Sequence, residues 1–247
     1  MDNKVIAITG GASGIGLALA KLLSSRGALL SIADLQEEHL TKAAESIRAT
    51  GGKVMTYALD VRKPDQVDAW LDATIAEYGQ LDGAANLAGV IGPNMYKHTI
   101  TQLGNDEWEF VMGINATGVF NCLRKQLQVI VDGGSIVNAA SVAGLRGTDK
   151  SAAYSASKHA VVGLTKCAAK DSGARNVRVN AVAPGTTDTP MVDEIERDNK
   201  RESHLEGLPI KRKGKPEEVA SLIAFLLGNE SQYITGSIYG IDGGWNI

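Results

Sequence analysis

The chain has 247 residues, 44% of them hydrophobic and 21% charged, which is enough to bury the core of one large α/β domain. With 25 basic against 28 acidic side chains it has no basic patch or acidic tail, which argues against a nucleic-acid or membrane-surface partner. Its two cysteines, Cys122 and Cys167, sit in apolar helix-like stretches and are expected to be reduced and buried, and no apolar run reaches the length of a membrane span, so a soluble cytoplasmic protein is expected.

In chain order, β-branched runs alternate with longer amphipathic ones. Strands are predicted at 5–9, 28–33, 53–58, 83–86, 135–139, 177–182 and 237–240. Helices are predicted at 14–25, 37–50, 64–78, 106–131, 152–172 and 216–227. Strict alternation with nearly continuous apolar strands predicts a Rossmann-like, doubly wound parallel sheet of about seven strands. Helices would cover both faces, and the ligand crevice would lie at the carboxyl ends of the strands. No linker or repeat divides the chain, so residues 1–247 read as one domain. The charge-dense segment 193–215 reads as a solvated loop or, with 186–192, as a lid over that crevice.

Thr9-Gly10-Gly11-Ala12-Ser13-Gly14-Ile15-Gly16 follows the first strand and opens the first helix. Glycines there allow positive φ and close approach of backbone N–H groups to a pyrophosphate, and the helix N-terminus adds partial positive charge. The same residues would also make a tight strand-to-helix turn without a ligand. Asp34 ends the second strand, about twenty residues further on. Its carboxylate can accept hydrogen bonds from both adenosine ribose hydroxyls and would repel a 2′-phosphate, so NAD is expected over NADP. It could equally cap the following helix.

Tyr154 and Lys158 are four residues apart in a predicted helix and share a face. An ammonium beside the phenol is expected to lower its pKa and make it a general acid/base. Ser141, just past the fifth strand, reads as a second donor to the same oxygen or as a turn cap. His39, His98, His159 and His204 lie on separate segments without ligand spacing, so no metal site is expected. No Gly-x-Ser-x-Gly elbow suggests a hydrolase.

Taken together, these motifs resemble the short-chain dehydrogenase/reductase family over essentially the whole chain. Gly10, Ser13, Gly14, Ile15 and Gly16 match its glycine turn, and Asp60-Val61 match the pair that holds the adenine. Asn86, Ala88 and Gly89 match its Asn-x-Ala-Gly motif, and Asn115, Ser141, Tyr154 and Lys158 match its catalytic tetrad. Pro184, Gly185, Thr187 and Thr189 match the segment that orients the nicotinamide.

The resemblance implies that Tyr154 exchanges a proton with the substrate oxygen while a hydride moves to or from nicotinamide. Lys158 would also bind the nicotinamide ribose, and Asn115 would hold a water linking Lys158 to solvent. It implies a homotetramer paired through the helices at 106–131 and 152–172, although a dimer fits the sequence too. The expected function is NAD(H)-dependent interconversion of a secondary alcohol and a ketone on a small or medium, mostly hydrophobic molecule. Ile91, Met95, Ala143, Leu145, Thr186 and Met191 are the expected pocket residues, and Arg146 and Lys150 leave room for an anionic group. The rival readings are a non-redox elimination or cyclisation and a nucleotide-sensing regulator on the same scaffold.

Overall fold

A computed structural model describes residues 1–199 and 205–246. Seven strands form one parallel sheet: β1 (Val5–Thr9), β2 (Leu29–Asp34), β3 (Lys53–Ala58), β4 (Gly83–Asn86), β5 (Ser135–Ala139), β6 (Arg178–Pro184) and β7 (Ile238–Ile241). Their order is β3-β2-β1-β4-β5-β6-β7, so the winding reverses between β1 and β4. Thr9 stands beside Asn86 there, and the crevice opens beyond that pair.

The period of two along β1 assigns its residues to two cores. Ile6 and Ile8 pack with Leu19 and Leu23 of α1 (Gly14–Ser25), Leu40 and Ile47 of α2 (Glu37–Arg48), and Val219 and Ile223 of α8 (Pro216–Leu227). Val5 and Ala7 face the other way. They pack with Trp70 and Leu71 of α3 (Pro64–Tyr78), Val119 and Leu123 of α5 (Gly118–Val129), and Val161 of α6 (Ala152–Ser172). A strand buried on both faces needs no alternation of apolar and polar residues, which is why β1 reads as a continuous apolar run. Trp70 carries its polar atom into this core by donating from Nε1 to Ser31 Oγ at 2.8 Å, and Ser31 Oγ meets Thr74 Oγ1 at 2.7 Å.

Two elements and one cysteine depart from the sequence expectation: Cys122 is buried as expected, but Cys167 is exposed on α6. The helix expected over 106–131 is α4 (Asn105–Met112), one wider π turn (Gly113–Thr117) and α5. The turn lies between two glycines, and a Cβ on Gly118 would come within 2.6 Å of Val61 Cγ2, so α5 closes on the segment after β3 only because that side chain is missing. The segment expected as loop begins with the helix α7 (Pro190–Asn199). Pro190 stands at its first position, where a missing N–H costs nothing, and Lys213 Nζ holds Glu196 at 2.7 Å. Residues 200–204 of the expected lid, with His204, lie outside the described residues. No helix of the described residues is long and apolar enough to cross a membrane.

Candidate active site

The crevice is assembled from the carboxyl ends of β1, β2, β3, β4, β5 and β6 and encloses about 330 Å³. Gly10, Ser13, Gly14, Ile15, Gly16, Asp34, Asp60, Val61, Ala88, Gly89, Pro184 and Thr189 all border it. Thr9 Oγ1 accepts from Leu87 N at 3.1 Å and Ala88 N at 3.2 Å, tying the glycine turn to the segment after β4. Gly10 has φ +66°, and a Cβ on Gly16 would lie 2.0 Å from Gly10 O. No side chain caps the first turn of α1, so its leading N–H groups face the crevice as an anion cradle. Asp34 stands beside this cradle, its Oδ2 accepting from Ala12 N at 3.2 Å and its Oδ1 from Gln36 N at 3.3 Å. A phosphate-bearing nucleotide fits this donor set: backbone amides at one end, a carboxylate a ribose diol could bridge at the next.

The crevice continues to Asp60 and Val61. Arg62 also borders it, donating from Nη2 to Asp60 Oδ2 at 2.6 Å while lying 6.0 Å from the centre of the Phe110 ring. The guanidinium holds the Asp60 carboxyl below the usual carboxylate range. Arg62 was missed at the sequence level because nothing in its spacing shows that it faces the crevice. Five residues expected at the cofactor do not border it: Asn86, Gly185, Thr187, Tyr154 and Lys158. Asn86 has its amide engaged with Gln126 and Asn138 at 2.8–3.0 Å, which makes it a buried tie between β4, α5 and β5. Gly185 packs on Asp242, and Thr187 donates from Oγ1 to Gly185 O at 3.2 Å.

Next to Ala139 and Gly89 on the crevice wall, the turn after β5 delivers Ser141, and α6 delivers Tyr154 and Lys158 one turn apart, although none of the three borders the crevice itself. Ser141 caps the turn after β5, its Oγ accepting from Ala143 N at 3.2 Å, and it hydrogen-bonds the Tyr154 phenol. Gly144 lets this turn sit on α6, since a Cβ there would come within 2.7 Å of Lys158 O. Lys158 is buried behind Gly89, with Nζ donating to Ala139 O at 2.9 Å and lying 5.6 Å from the centre of the Tyr154 ring. A Cβ on Gly89 would lie 3.2 Å from Asn115 Oδ1 and 3.4 Å from Lys158 Nζ, so the glycine keeps these groups within reach of the crevice.

The expected depression of the Tyr154 pKa is not what this arrangement produces. Burial pushes the phenol up, the Ser141 hydrogen bond draws it back in part, and the neighbouring Tyr96 adds to the rise. Burial also brings Lys158 down to about 8, which weakens the ammonium that was to do the lowering. Asn115, fully buried in the π turn, accepts from Val90 N at 2.8 Å and donates to Val90 O at 2.8 Å and Ser157 Oγ at 3.1 Å. Its side chain therefore pins the segment after β4 as well as standing near Lys158.

Known proteins share this fold and much of this sequence. A family model described as enoyl-(acyl carrier protein) reductase matches residues 10–246. The short-chain dehydrogenase/reductase aba4 of Botryotinia fuckeliana (strain B05.10) is 48% identical over 251 residues, covering 98% of this chain and 96% of that one. The crystal structure of levodione reductase superposes with a TM-score of 0.95 at 37% identity, covering 100% of this chain and 98% of that one. An NAD⁺-bound xylitol dehydrogenase superposes with a TM-score of 0.88 at 31% identity, covering 98% and 99% of the two chains.

Proposed function

The chain belongs to the short-chain dehydrogenase/reductase family of oxidoreductases, and on that premise we propose that it uses NAD(H) to interconvert a secondary alcohol and a ketone on a small or medium, mostly hydrophobic molecule. The observation that carries this reading is the meeting of Ser141, Tyr154 and Lys158 beside Ala139 and Gly89, two residues that border a nucleotide-sized crevice. When bound, the nicotinamide accepts the hydride in alcohol oxidation and supplies it in ketone reduction. Tyr154 hydrogen-bonds the reacting oxygen and takes or returns its proton, and Ser141 donates to the same oxygen. Lys158 holds positive charge beside Tyr154 and within reach of the nicotinamide ribose. Asn115 fixes the wall of the site, and the proton path from Lys158 to solvent passes beside it.

Asp34 supports the choice of NAD. A 2′-phosphate placed at the ribose would meet its carboxylate, and Arg62, the arginine bordering the crevice, is turned onto Asp60. The NAD⁺ bound to the similar xylitol dehydrogenase points the same way. Ketone chemistry draws support from the likeness to levodione reductase. The intact proton-transfer set favours this reading over a nucleotide sensor, which needs no such group, and over a non-redox reaction.

Residues 1–247 act as one cytoplasmic domain in this reading, with 186–215 as the substrate lid. Trp108, Phe110 and Phe120 are 39–48% exposed on α4 and α5, which suits the pairing of these helices in a homotetramer. A parallel fluorescence titration with NADH and NADPH tests the cofactor assignment without knowledge of the substrate. Tighter NADH binding is expected. Tighter NADPH binding would overturn the role given to Asp34, and failure to bind either would overturn the whole reading.

A further inference from the structure

The wall of the site opposite α7 is the segment Gly89–His98, which follows β4 and has no helix or strand of its own. An irregular segment keeps one shape only if something outside it holds its backbone. Asn115 holds the near end through its two hydrogen bonds to Val90. Glu107, on α4, holds the middle: Oε1 accepts from Asn94 N at 3.1 Å and Oε2 from Asn94 Nδ2 at 2.9 Å. Asn94 in turn closes the next turn, its carbonyl accepting from Lys97 N at 2.9 Å and His98 N at 3.1 Å.

The carboxylate reaches Asn94 only because residue 92 is glycine. A Cβ on Gly92 would lie 2.0 Å from Glu107 Oε1. Beyond the clamp, Tyr96 takes a left-handed backbone at φ +67°, and its N–H donates to Lys150 O at 2.8 Å. The clamped stretch thus presents Met95 and Tyr96 beside Tyr154. The cleft between it and α7 is bordered by Ile91, Met95, Glu107, Met191 and Ile195.

We propose that Glu107 is a positioning residue for substrate specificity. Its two-point clamp on Asn94, admitted by Gly92, fixes the Ile91–Met95 wall of that cleft, against which the non-reacting part of the substrate is held. Nothing in this role touches the reacting atoms or the nucleotide. The inference rests on the alcohol/ketone reading for the identity of the substrate, but the clamp itself stands on the geometry alone. A loosened wall binds ground state and transition state less well by the same amount, which raises KM and leaves kcat.

The test compares Glu107→Ala, Glu107→Gln and Gly92→Ala with the wild type. Steady-state oxidation with NAD⁺ of the best substrate in a panel of cyclic secondary alcohols, NADH affinity and amide hydrogen exchange over 89–98 are measured for each. Glu107→Ala is expected to raise KM about ten-fold with kcat within about three-fold, to leave NADH affinity unchanged, and to speed exchange at Asn94 and Tyr96. Glu107→Gln keeps the acceptor for Asn94 N and should recover part of the loss. Gly92→Ala, which displaces the carboxylate from the other side, should reproduce the alanine variant.

Wild-type KM and exchange in Glu107→Ala would overturn the proposal. So would a joint fall in kcat, NADH affinity and thermal stability, which would mark a general structural role. A wild type that oxidises no member of a panel of cyclic secondary alcohols would count against the substrate reading, and the exchange measurement would still decide the clamp.

Discussion

Lys158 Nζ stands 5.6 Å from the centre of the Tyr154 ring while donating to the Ala139 carbonyl at 2.9 Å, so the charge that would assist the phenol is anchored to the end of β5. Burying an ammonium there works against folding. The Lys158 pKa falls from 10.5 to about 8, so the cost is present in full below pH 8 and is gone above 10.5, where the unfolded lysine is neutral too.

Lys158→Met should therefore stabilise the cofactor-free protein at neutral pH while abolishing turnover. The fall in pKa corresponds to about 3 kcal/mol. The lost hydrogen bond to Ala139 O offsets part of it, leaving a gain of about 1–2 kcal/mol. Thermal melts at neutral and alkaline pH would show the variant's advantage shrinking as pH rises from about 8 towards 10.5. A variant less stable than the wild type at neutral pH would count against the buried charge.

The same group sets a pH dependence for ketone reduction. That direction needs a protonated Tyr154, which burial favours, and a charged Lys158 beside it. The value of kcat/KM for reduction by NADH should therefore fall as pH rises through about 8, where Lys158 loses its proton. A profile flat across that value would detach Lys158 from the chemistry.

Asp34→Ala should weaken NADH binding and narrow the gap to NADPH, because it removes the ribose acceptor and the charge that repels a 2′-phosphate. It also frees Ala12 N, so both cofactors should lose some affinity. The informative quantity is the ratio of the two dissociation constants, expected to move towards NADPH by about ten-fold or more. An unchanged ratio would remove Asp34 from cofactor selection.

Gly16→Ala should disable the turn. A Cβ there would lie 2.0 Å from Gly10 O, so either α1 shifts or the turn opens. NADH affinity should collapse and stability should fall by about 2 kcal/mol or more. Tight NADH binding by this variant would show that the amide cradle is not the nucleotide site.

Much of this was legible in the sequence because strand and glycine patterns are local. Val5–Thr9, Gly10–Gly16 and Asp34 follow from apolar runs and turn chemistry, and the structure joins them at one crevice. The helix α7 escaped notice because Asp193, Glu194, Glu196, Arg197 and Asp198 crowd a short segment and mask the spacing of Val192 and Ile195. The π turn was invisible because the packing around it, such as the close approach of Gly118 to Val61, joins distant segments. For the same reason neither the turning of Asn86 into the core nor the burial of Lys158 could be read from neighbouring residues. The sequence offered candidates for the reacting groups, but the medium around them, which decides their pKa values, comes from packing.

The most direct test of the account is NADH formation from NAD⁺ and a panel of cyclic secondary alcohols, by the wild type and by Tyr154→Phe. The wild type should oxidise at least one of them. The phenylalanine variant should bind NADH as the wild type does, while losing about 10²-fold or more in kcat, the usual weight of a general acid/base. Near-normal turnover by Tyr154→Phe would contradict the proton-transfer role on which the rest depends.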